Sequence, residues 1–135
     1  MLEPRLSEAD MADVIYLELP LPPSVNAAYR NVPGRGRAKT REYVSWLQHA
    51  ALEVRRKATG TIEGSYAFHL KATRPDRRPR DLGNLEKCAH DLCVSMGLVE
   101  DDSLCRRILL EWSDDPPTKN ATVKIWLVST KEHIA

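Results

Sequence analysis

The chain has 135 residues, which is enough for one domain with a hydrophobic core but not for two. Apolar residues make up 42% and charged residues 29%, as in ordinary soluble globular proteins. No apolar run approaches the roughly 20 residues of a membrane span, and the N-terminus lacks the hydrophobic stretch of a signal peptide. We therefore expect a cytoplasmic protein without membrane segments.

The formal net charge of +1 hides two basic segments. Residues 30–41 contain five lysines and arginines, and residues 71–80 contain five more. Positive charge concentrated on two loops can bind an anionic polymer even when the total charge is near zero. A basic run is also often only a solvated surface, so both interpretations remain open at this point.

The first half of the chain predicts one strand and one helix. Residues 1–13 are polar and aperiodic, so we interpret them as an N-terminal extension. Residues 14–19 alternate between apolar and polar, as a half-buried strand does. Residues 24–39 hold glycine, proline and asparagine and predict a long loop. Thr40 is a suitable N-cap for a helix to about residue 58. The apolar stripe of this helix is predicted to be Tyr43, Leu47, Ala51 with Ala50, Val54 and Ala58.

The second half predicts a second helix between strands. Residues 66–73 alternate, and the arginine-rich and proline-rich residues 74–80 connect them to a helix that begins at Asp81 or Gly83 and ends at Gly97 as a C-cap. The apolar stripe of this helix is predicted to be Leu85, Cys88 with Ala89, Leu92 and Met96.

Two further strands follow, at about residues 104–112 and 121–129, with a turn that contains two prolines between them. The predicted order is β-α-β-α-β-β. This order indicates one α+β domain over residues 14–135, in which two helices pack against a mixed four-stranded sheet.

The acidic residues around the second helix have two readings each. Asp81 is either an N-cap, the commoner role, or a metal ligand beside a phosphate. Asp101 and Asp102 form either a simple turn or part of the same site. Lys87 either pairs with Asp91 one turn later or offsets charge on a phosphate in the transition state.

Other kinds of site find little support. The three cysteines lack C-x-x-C spacing and predict reduced, mostly buried thiols rather than a disulfide or zinc site. No glycine-rich phosphate loop is present, so we expect no nucleotide cofactor. The histidines are scattered, and we expect none of them to have a nearby partner that would form a catalytic pair: His49, His69, His90 and His133.

Three segments of the chain resemble one known family when taken together. Residues 19–26 read L-P-L-P-P-S-V-N, and residues 74–87 read R-P-D-R-R-P-R-D-L-G-N-L-E-K. His90-Asp91-Leu92 and residues 97–103, G-L-V-E-D-D-S, complete the pattern. In order and spacing the chain resembles the RusA family of Holliday junction resolvases over about residues 14–128.

The resemblance implies a RusA-like fold and a phage-derived homodimeric endonuclease of DNA recombination and repair. Such a protein binds four-way or other branched DNA and cuts it with Mg²⁺, for which Mn²⁺ can substitute. It would act in the cytoplasm of a bacterium and be encoded by the bacterium, a phage or a prophage.

The resemblance also implies roles for particular residues. The acidic, metal-holding site of the family maps onto Asp81, the position of Gly83, and Asp102, while its essential lysine maps onto Lys87. Asp101 matches a neighbouring catalytic motif position. We expect DNA contacts from Asn26, Arg30, Lys71, Arg74, Arg77, Arg78, Arg80 and Asn84.

Gly83 departs from the family pattern, which reads D-L-D-N where this chain reads D-L-G-N. Asp101, Asp76 or Glu86 could supply the missing oxygen, or water could fill the position. Alternatively the protein binds junctions without cutting them, or is an accessory protein-binding domain with charged surfaces only. As a purely structural feature, Gly83 would mark a helix start that needs close backbone approach or an unusual φ.

Overall fold

The computed structural model describes residues 12–57 and 60–131, and its centre is a mixed four-stranded sheet. The strands of this sheet are β1 (Val14–Pro20), β4 (Tyr66–Ala72), β5 (Cys105–Trp112) and β6 (Thr122–Ser129), and their spatial order is β1-β6-β4-β5. Strands β4 and β5 are parallel, whereas β6 is antiparallel to both β1 and β4. The predicted α+β class with a mixed four-stranded sheet is confirmed.

Two long helices connect these strands. Helix α2 (Arg41–Lys57) precedes β4, and helix α3 (Gly83–Ser95) crosses from β4 to the parallel strand β5. A short 3₁₀ helix, Asp102–Leu104, leads into β5. None of the helices in the described ranges combines the length and the apolar character that crossing a bilayer requires.

The predicted long loop at residues 24–39 is wrong, because this segment is folded. It contains a one-turn helix, α1 (Val25–Ala28), and a hairpin of β2 (Tyr29–Val32) and β3 (Gly36–Lys39). Gly34 and Gly36 have φ of 75° and 84°, which residues with a side chain rarely adopt. The hairpin strands are short and polar, so they leave no alternating pattern in the sequence.

The predicted start of α2 and the predicted end of α3 are confirmed by their caps. The Thr40 hydroxyl oxygen accepts the N–H of Tyr43 at 3.3 Å, which caps α2 at its start. Gly97 has a φ of 75°, and the N–H groups of Gly97 and Leu98 donate to carbonyls in the last turn of α3. This pair of bonds is the Schellman arrangement that commonly ends a helix at glycine.

The buried stripe of α2 is rotated relative to the prediction. Leu47 and Ala51 are only half-buried, whereas Trp46 is 6% exposed and donates its indole N–H to the Pro20 carbonyl at 2.8 Å. This bond to the end of β1 turns the helix towards the tryptophan. The predicted stripe residue Ala58 lies outside the described residues. The stripe that the structure buries is Tyr43, Trp46, Ala50 and Val54.

The hydrophobic core lies between the helices and one face of the sheet. Burial alternates along β1, β4 and β6, which confirms the predicted inward residues of β1 and β4. Each large apolar side chain contributes about 1.5–3 kcal/mol when it is fully buried. The sheet residues that point into the core are Ile15, Leu17, Leu19, Tyr66, Phe68, Leu70, Ala72, Val123, Ile125 and Leu127.

No described helix covers the opposite face of the sheet, which we call the open face. Its residues include Val14, Tyr16, Ala67, His69, Lys71, Leu109, Trp126 and Val128. The rings of Tyr16 and His69 lie on either side of Trp126, with centroids 5.2 Å and 4.7 Å from it. Leu109 is 52% exposed. The open face is therefore apolar and aromatic at its centre.

All three cysteines are free thiols. Cys88 and Cys93 are buried and Cys105 is half-buried, as the sequence predicts. Burial raises the pKa of the Cys93 thiol to about 12, so this thiol stays protonated at neutral pH. These cysteines serve as small core residues.

Helix α3 is fixed to β4 through the buried His90, which is 4% exposed. Its Nδ1 lies 2.6 Å from a carboxylate oxygen of Glu86, and its Nε2 lies 2.6 Å from the Tyr66 hydroxyl. Burial raises the pKa of Tyr66, so the phenol keeps its proton at neutral pH. The hydrogen bond between its hydroxyl and Nε2 joins β4 to α3. The His90 ring also stacks on Phe68, with centroids 4.4 Å apart.

His90, and also His69, thus have side-chain partners, although none of these partners is a serine or cysteine nucleophile. The Nε2 of His69 lies 2.5 Å from a carboxylate oxygen of Glu111. The Glu86–His90 spacing of four residues is visible in the sequence, but the other partners are 24 and 42 residues away along the chain. His133 lies outside the described residues.

Removing the Tyr66 hydroxyl tests how much this bond stabilises the fold. Tyr66→Phe leaves the buried Nε2 of His90 without its hydrogen-bond partner, and we expect the free energy of unfolding to fall by about 1–3 kcal/mol. Urea denaturation measures this change. Tyr16→Phe is the matched control, because Tyr16 is 45% exposed, and we expect a change within about 0.5 kcal/mol. Equal unfolding midpoints for both variants would contradict the role assigned to the bond.

Candidate active site

Asp81 stands just before α3 and binds its first turn. One carboxylate oxygen, Oδ1, accepts the N–H of Gly83 at 3.0 Å, and the Asp81 carbonyl accepts the N–H of Asn84 at 3.1 Å. The residue at the N-cap position is Leu82, which makes no side-chain cap. Asp81 lies one position before this N-cap, and its carboxylate accepts a hydrogen bond from one of the N–H groups that have no partner within the helix. Its side chain is exposed, so the capping role leaves Oδ2 accessible from solvent.

A cavity of about 420 Å³ lies in front of Asp81, and we call it the Asp81 cavity. The turn at Pro22-Pro23-Ser24 forms one wall, and the start of α3 forms another. Its polar lining consists of Ser24, Glu42, Arg80, Asp81 and Asn84. The P-P-S turn and the D-L-G-N segment, more than 50 positions apart in the sequence, therefore meet at one cavity.

Glu42 is the residue that sequence reasoning missed. It lies in the first turn of α2, is exposed and lines the Asp81 cavity. It makes no hydrogen bond or ion pair within the described ranges. The sequence signal was weak, because an acidic residue in a first helical turn is usually explained by the helix dipole.

Lys87 connects the acidic pair to α3. Its Nζ lies 3.1 Å from Oδ1 of Asp91 and 3.9 Å from Oδ2 of Asp102. The hydrogen bond and charge of Asp91, followed by the charge of Asp102, raise the pKa of Lys87. The ammonium group is therefore charged at neutral pH. The pairing of Lys87 with Asp91 is compatible with a contact to phosphate. The pair is exposed, and such pairs contribute only a few tenths of a kcal/mol.

The predicted residues lie in two neighbouring groups along α3. Asp81 and Asn84 belong to the Asp81 cavity, and Lys87 with Asp102 lies one turn further along. Helix residues three positions apart, such as Asn84 and Lys87, have Cβ atoms about 5–6 Å apart. Within the part of the chain that the structure describes, no cluster of three or more His, Cys, Asp or Glu side chains could hold a metal ion.

Asp101 has a structural role of its own. Its Oδ2 accepts the N–H of Ser103 at 3.1 Å and also a short hydrogen bond from the Ser103 hydroxyl. These bonds cap the 3₁₀ helix and lower the pKa of Asp101. The other two candidates for the missing oxygen are also engaged, since Glu86 binds His90 and Asp76 binds arginines.

Gly83 does not have the backbone features expected of a conformationally required glycine. Its φ is not positive, and a Cβ added to it would meet Asp81 Oδ1 at 3.4 Å, which is an ordinary contact. The structural reading of Gly83, close backbone approach or an unusual φ, is therefore wrong. A side chain at this position would point beside the Asp81 carboxylate.

Asp76 compensates part of the basic connection before α3. Arg80 and Arg78 place nitrogens 2.7 Å and 3.2 Å from Oδ2 of Asp76. The hydrogen bond from Arg80 is the main reason why the pKa of Asp76 is held well below its usual range. Arg74 stacks its guanidinium on Trp112, 4.3 Å from the ring centroid.

The remaining predicted DNA-binding residues are spread over the surface. Arg77 is exposed and forms no ion pair with the described residues. Asn26 is exposed on α1, which packs against α3, and Arg30 is exposed on β2. Lys71 lies on the open face, on the other side of the sheet from α3. The structure therefore brings Asn26 towards the α3 surface and places Lys71 apart from it.

Comparison with known proteins identifies relatives of this chain. No family model matches the chain. Crossover junction endodeoxyribonuclease RusA of Escherichia coli K12 is 32% identical over 93 residues, which cover 64% of this chain and 72% of that protein. The protein of the same name from Shigella sonnei Ss046 matches with the same identity and coverage. A chain that matches such proteins over more than two thirds of their length, and that carries the P-P-S turn beside the D-L-G-N segment, belongs to the RusA family.

Proposed function

We propose that this protein is a crossover junction endodeoxyribonuclease that hydrolyses phosphodiester bonds in four-way DNA junctions during recombination and repair. It would act in the cytoplasm of a bacterium, encoded there or by a phage or prophage. The main supporting observation is that Asp102 lies 3.9 Å from Lys87. Lys87 belongs to α3, the helix that Asp81 precedes. The activity named for its relatives supports the same reading.

The donor chemistry fits Mg²⁺, with Mn²⁺ as a substitute. Mg²⁺ binds hard oxygen ligands, often only one or two carboxylates, and keeps water and substrate phosphate as its other ligands. The exposed carboxylates of Asp81 and Asp102 are of this kind. Asp81 and Asp102 would hold the ion, which would supply activation of water and stabilisation of the leaving oxygen when bound. Because a protein cage of three or more ligands is absent from the described ranges, we expect weak metal binding without DNA.

Lys87 would act on the phosphate itself. Its ammonium group is charged, and its side chain is 54% exposed, so a phosphate can approach it. A fixed positive charge near the scissile phosphate lowers the energy of the transition state, in which negative charge increases. The exposed pair with Asp91 is weak enough to be exchanged for a phosphate contact.

The basic residues would position the junction through its backbone. Phosphate contacts carry no sequence information directly, and they make affinity fall steeply with salt. Arg77 is available for such contacts, and Arg74 presents its guanidinium from the face of Trp112. Arg78 and Arg80 would bind phosphate at the expense of their bonds to Asp76.

Cleavage of a synthetic four-way junction tests the proposed activity. We expect cutting that depends on Mg²⁺ and falls by about 10²-fold or more in Asp102→Asn, because a group that acts on the transition state is lost. Asp115→Asn is the control, since Asp115 is an exposed carboxylate in the turn between β5 and β6, and its rate should match the wild type.

Two results of that assay would reject the proposal. Tight binding of the junction by the wild type without product at any metal concentration would favour a non-catalytic binding protein. Absence of junction binding even at low salt would favour a protein-binding accessory domain.

A non-catalytic junction-binding protein is the second candidate, and Gly83 is the observation that favours it. Three nearby carboxylates already accept structural bonds: Asp76 through both of its oxygens, and Asp101 and Glu86 through one oxygen each, so none of them is a fully unengaged replacement for the aspartate of the family pattern. Glu42 is the remaining carboxylate of the Asp81 cavity. Glu42 and water are the two replacements whose use at this position would not compete with such a bond.

Restoring the carboxylate distinguishes the two candidates. We expect Gly83→Asp to raise the cleavage rate at least about tenfold and to lower the Mg²⁺ concentration needed, because an anionic ligand is added beside Asp81. Gly83→Asn is the control of similar shape without the charge. Equal rates for Gly83→Asp and the wild type would mean that a substitute carboxylate is present, and a loss of activity in Glu42→Gln would then identify it.

We extend the proposal to a homodimer formed through the open face. Contiguous exposed apolar surface marks interaction sites on soluble proteins. Val14, Tyr16, Leu109 and Val128 are between 38% and 55% exposed on this face. A second copy would cover the same residues in a twofold symmetric interface, as most homodimers do. Two active sites in one particle would fit the two symmetric cuts that resolve a junction.

A charge placed on the open face tests the dimer. We expect Leu109→Glu to convert the protein to a monomer at micromolar concentration, because an unpaired charge is costly to bury within an apolar interface. Light scattering after size-exclusion chromatography measures the mass. Leu52→Glu is the matched control, since Leu52 is 55% exposed but lies on α2. A monomeric wild type, or a dimeric Leu109→Glu variant, would reject this interface.

A further inference from the structure

A second polar cavity, of about 540 Å³, lies where β5 begins, and we call it the basic cavity. Its lining comes from three adjacent strand ends: Ser65 before β4, two arginines early in β5, and two residues after β6. It shares no residue with the Asp81 cavity. The residues that line it are Ser65, Arg106, Arg107, Thr130 and Lys131.

A β-bulge explains why two consecutive arginines line one cavity. Successive side chains of a regular strand point to opposite faces of the sheet. Here Tyr66 pairs with Cys105 and the next residue, Ala67, pairs with Arg107, so Arg106 is an extra residue in β5. Bulges redirect side chains and are frequent near active sites. The irregular register thus places Arg106 and Arg107 along the same cavity.

The positive charge of this cavity is largely uncompensated. Arg106 and Arg107 are exposed, and neither forms an ion pair within residues 12–57 and 60–131. Lys131 lies 3.1 Å from Glu63, but both side chains are more than half exposed, and such pairs contribute little. In the predicted DNA-binding segment, by contrast, Arg78 and Arg80 share the Asp76 carboxylate.

The hydroxyl groups of the cavity add a donor. The Thr130 hydroxyl donates to the Ser65 oxygen at 2.8 Å, so the Ser65 hydroxyl hydrogen can be donated to a ligand. Arginine forks and hydroxyl donors match an anion with several acceptor oxygens. They do not match a metal cation or an apolar ligand.

We propose that the basic cavity binds a backbone phosphate of the DNA arm that leaves the candidate active site. This inference rests on the proposed junction-binding function and adds a contact to it. The 3₁₀ helix and Cys105 join Asp102 to Arg106, a separation of four residues that spans at most about 14 Å. That distance is about four nucleotide steps along a duplex strand, so one DNA arm can reach both places.

The cavity is compatible with the homodimer. Arg107 lies on β5, three strands away from Tyr16 on β1, which is about 14 Å at the usual strand spacing. An interface centred on Tyr16 and Trp126 therefore leaves the basic cavity at its rim. A charged rim around an apolar centre is usual for protein interfaces.

Junction binding by arginine variants tests the inference. Fluorescence anisotropy without divalent metal keeps cleavage out of the measurement and gives Kd over a series of salt concentrations. We expect Arg106→Gln/Arg107→Gln to weaken binding about 10- to 100-fold, as the loss of charge-assisted hydrogen bonds does. The slope of log K against log salt should fall by about 1, the value for one phosphate contact. Arg106→Lys/Arg107→Lys should keep the wild-type slope and bind with intermediate affinity.

The matched control is Arg55→Gln/Arg56→Gln, which removes two consecutive exposed arginines from α2 and should change neither Kd nor slope. Unfolding midpoints of both double variants should equal that of the wild type, because all four side chains are exposed. Unchanged Kd and slope in Arg106→Gln/Arg107→Gln, with tight wild-type binding, would overturn the basic cavity alone. A wild type that fails to bind junctions would overturn the proposed function together with it.

Discussion

The buried imidazole of His90 determines where α3 lies on the sheet. It is bonded on one side to Glu86 of its own helix and on the other to Tyr66 of β4, and its ring stacks on Phe68. The Tyr66 hydroxyl also lies 3.4 Å from the Asp101 carbonyl, so the same group contacts the acidic connection. Glu86 precedes Lys87, and Asp101 precedes Asp102. The 3.9 Å approach of Lys87 to Asp102 therefore depends on this docking, although His90 is not exposed to any substrate.

The distribution of charge, rather than its total, governs what this surface can bind. A net charge of +1 would give little attraction to DNA at a distance. Asp76 lies between Arg78 and Arg80 and compensates part of the most arginine-rich segment. At physiological salt, charges interact over about 8 Å, so local groups act almost independently. Arginines without an ion pair, such as Arg77, Arg106 and Arg107, consequently matter more for phosphate binding than the number of arginines suggests.

Local patterns predicted the sheet and the long helices, because periodicity and caps depend on residues close in sequence. The features that were missed depend on distant partners. The rotation of α2 follows from the bond of Trp46 to the end of β1. The hairpin is the exception, because its turn depends on the local positive φ of Gly34 and Gly36, and it was missed because its strands are short and polar. The pairing shift at Arg106 is set by β4, 40 residues earlier in the chain. The position of Glu42 in the Asp81 cavity likewise requires the packing of α2 near α3.

The carboxylates that could replace the one missing at Gly83 differ in the interactions that each of them would lose. Asp76 would have to give up bonds to arginines through both of its oxygens, and Asp101 and Glu86 each already accept a structural hydrogen bond through one oxygen. Glu42 would give up only its favourable place at a helix start, worth about 0.3–1 kcal/mol. It already lines the cavity of Asp81. If another carboxylate takes the place of the family's aspartate, Glu42 of α2 is therefore favoured, because it would lose the least stabilising interaction. It lies outside the D-L-G-N segment in which glycine replaces that aspartate.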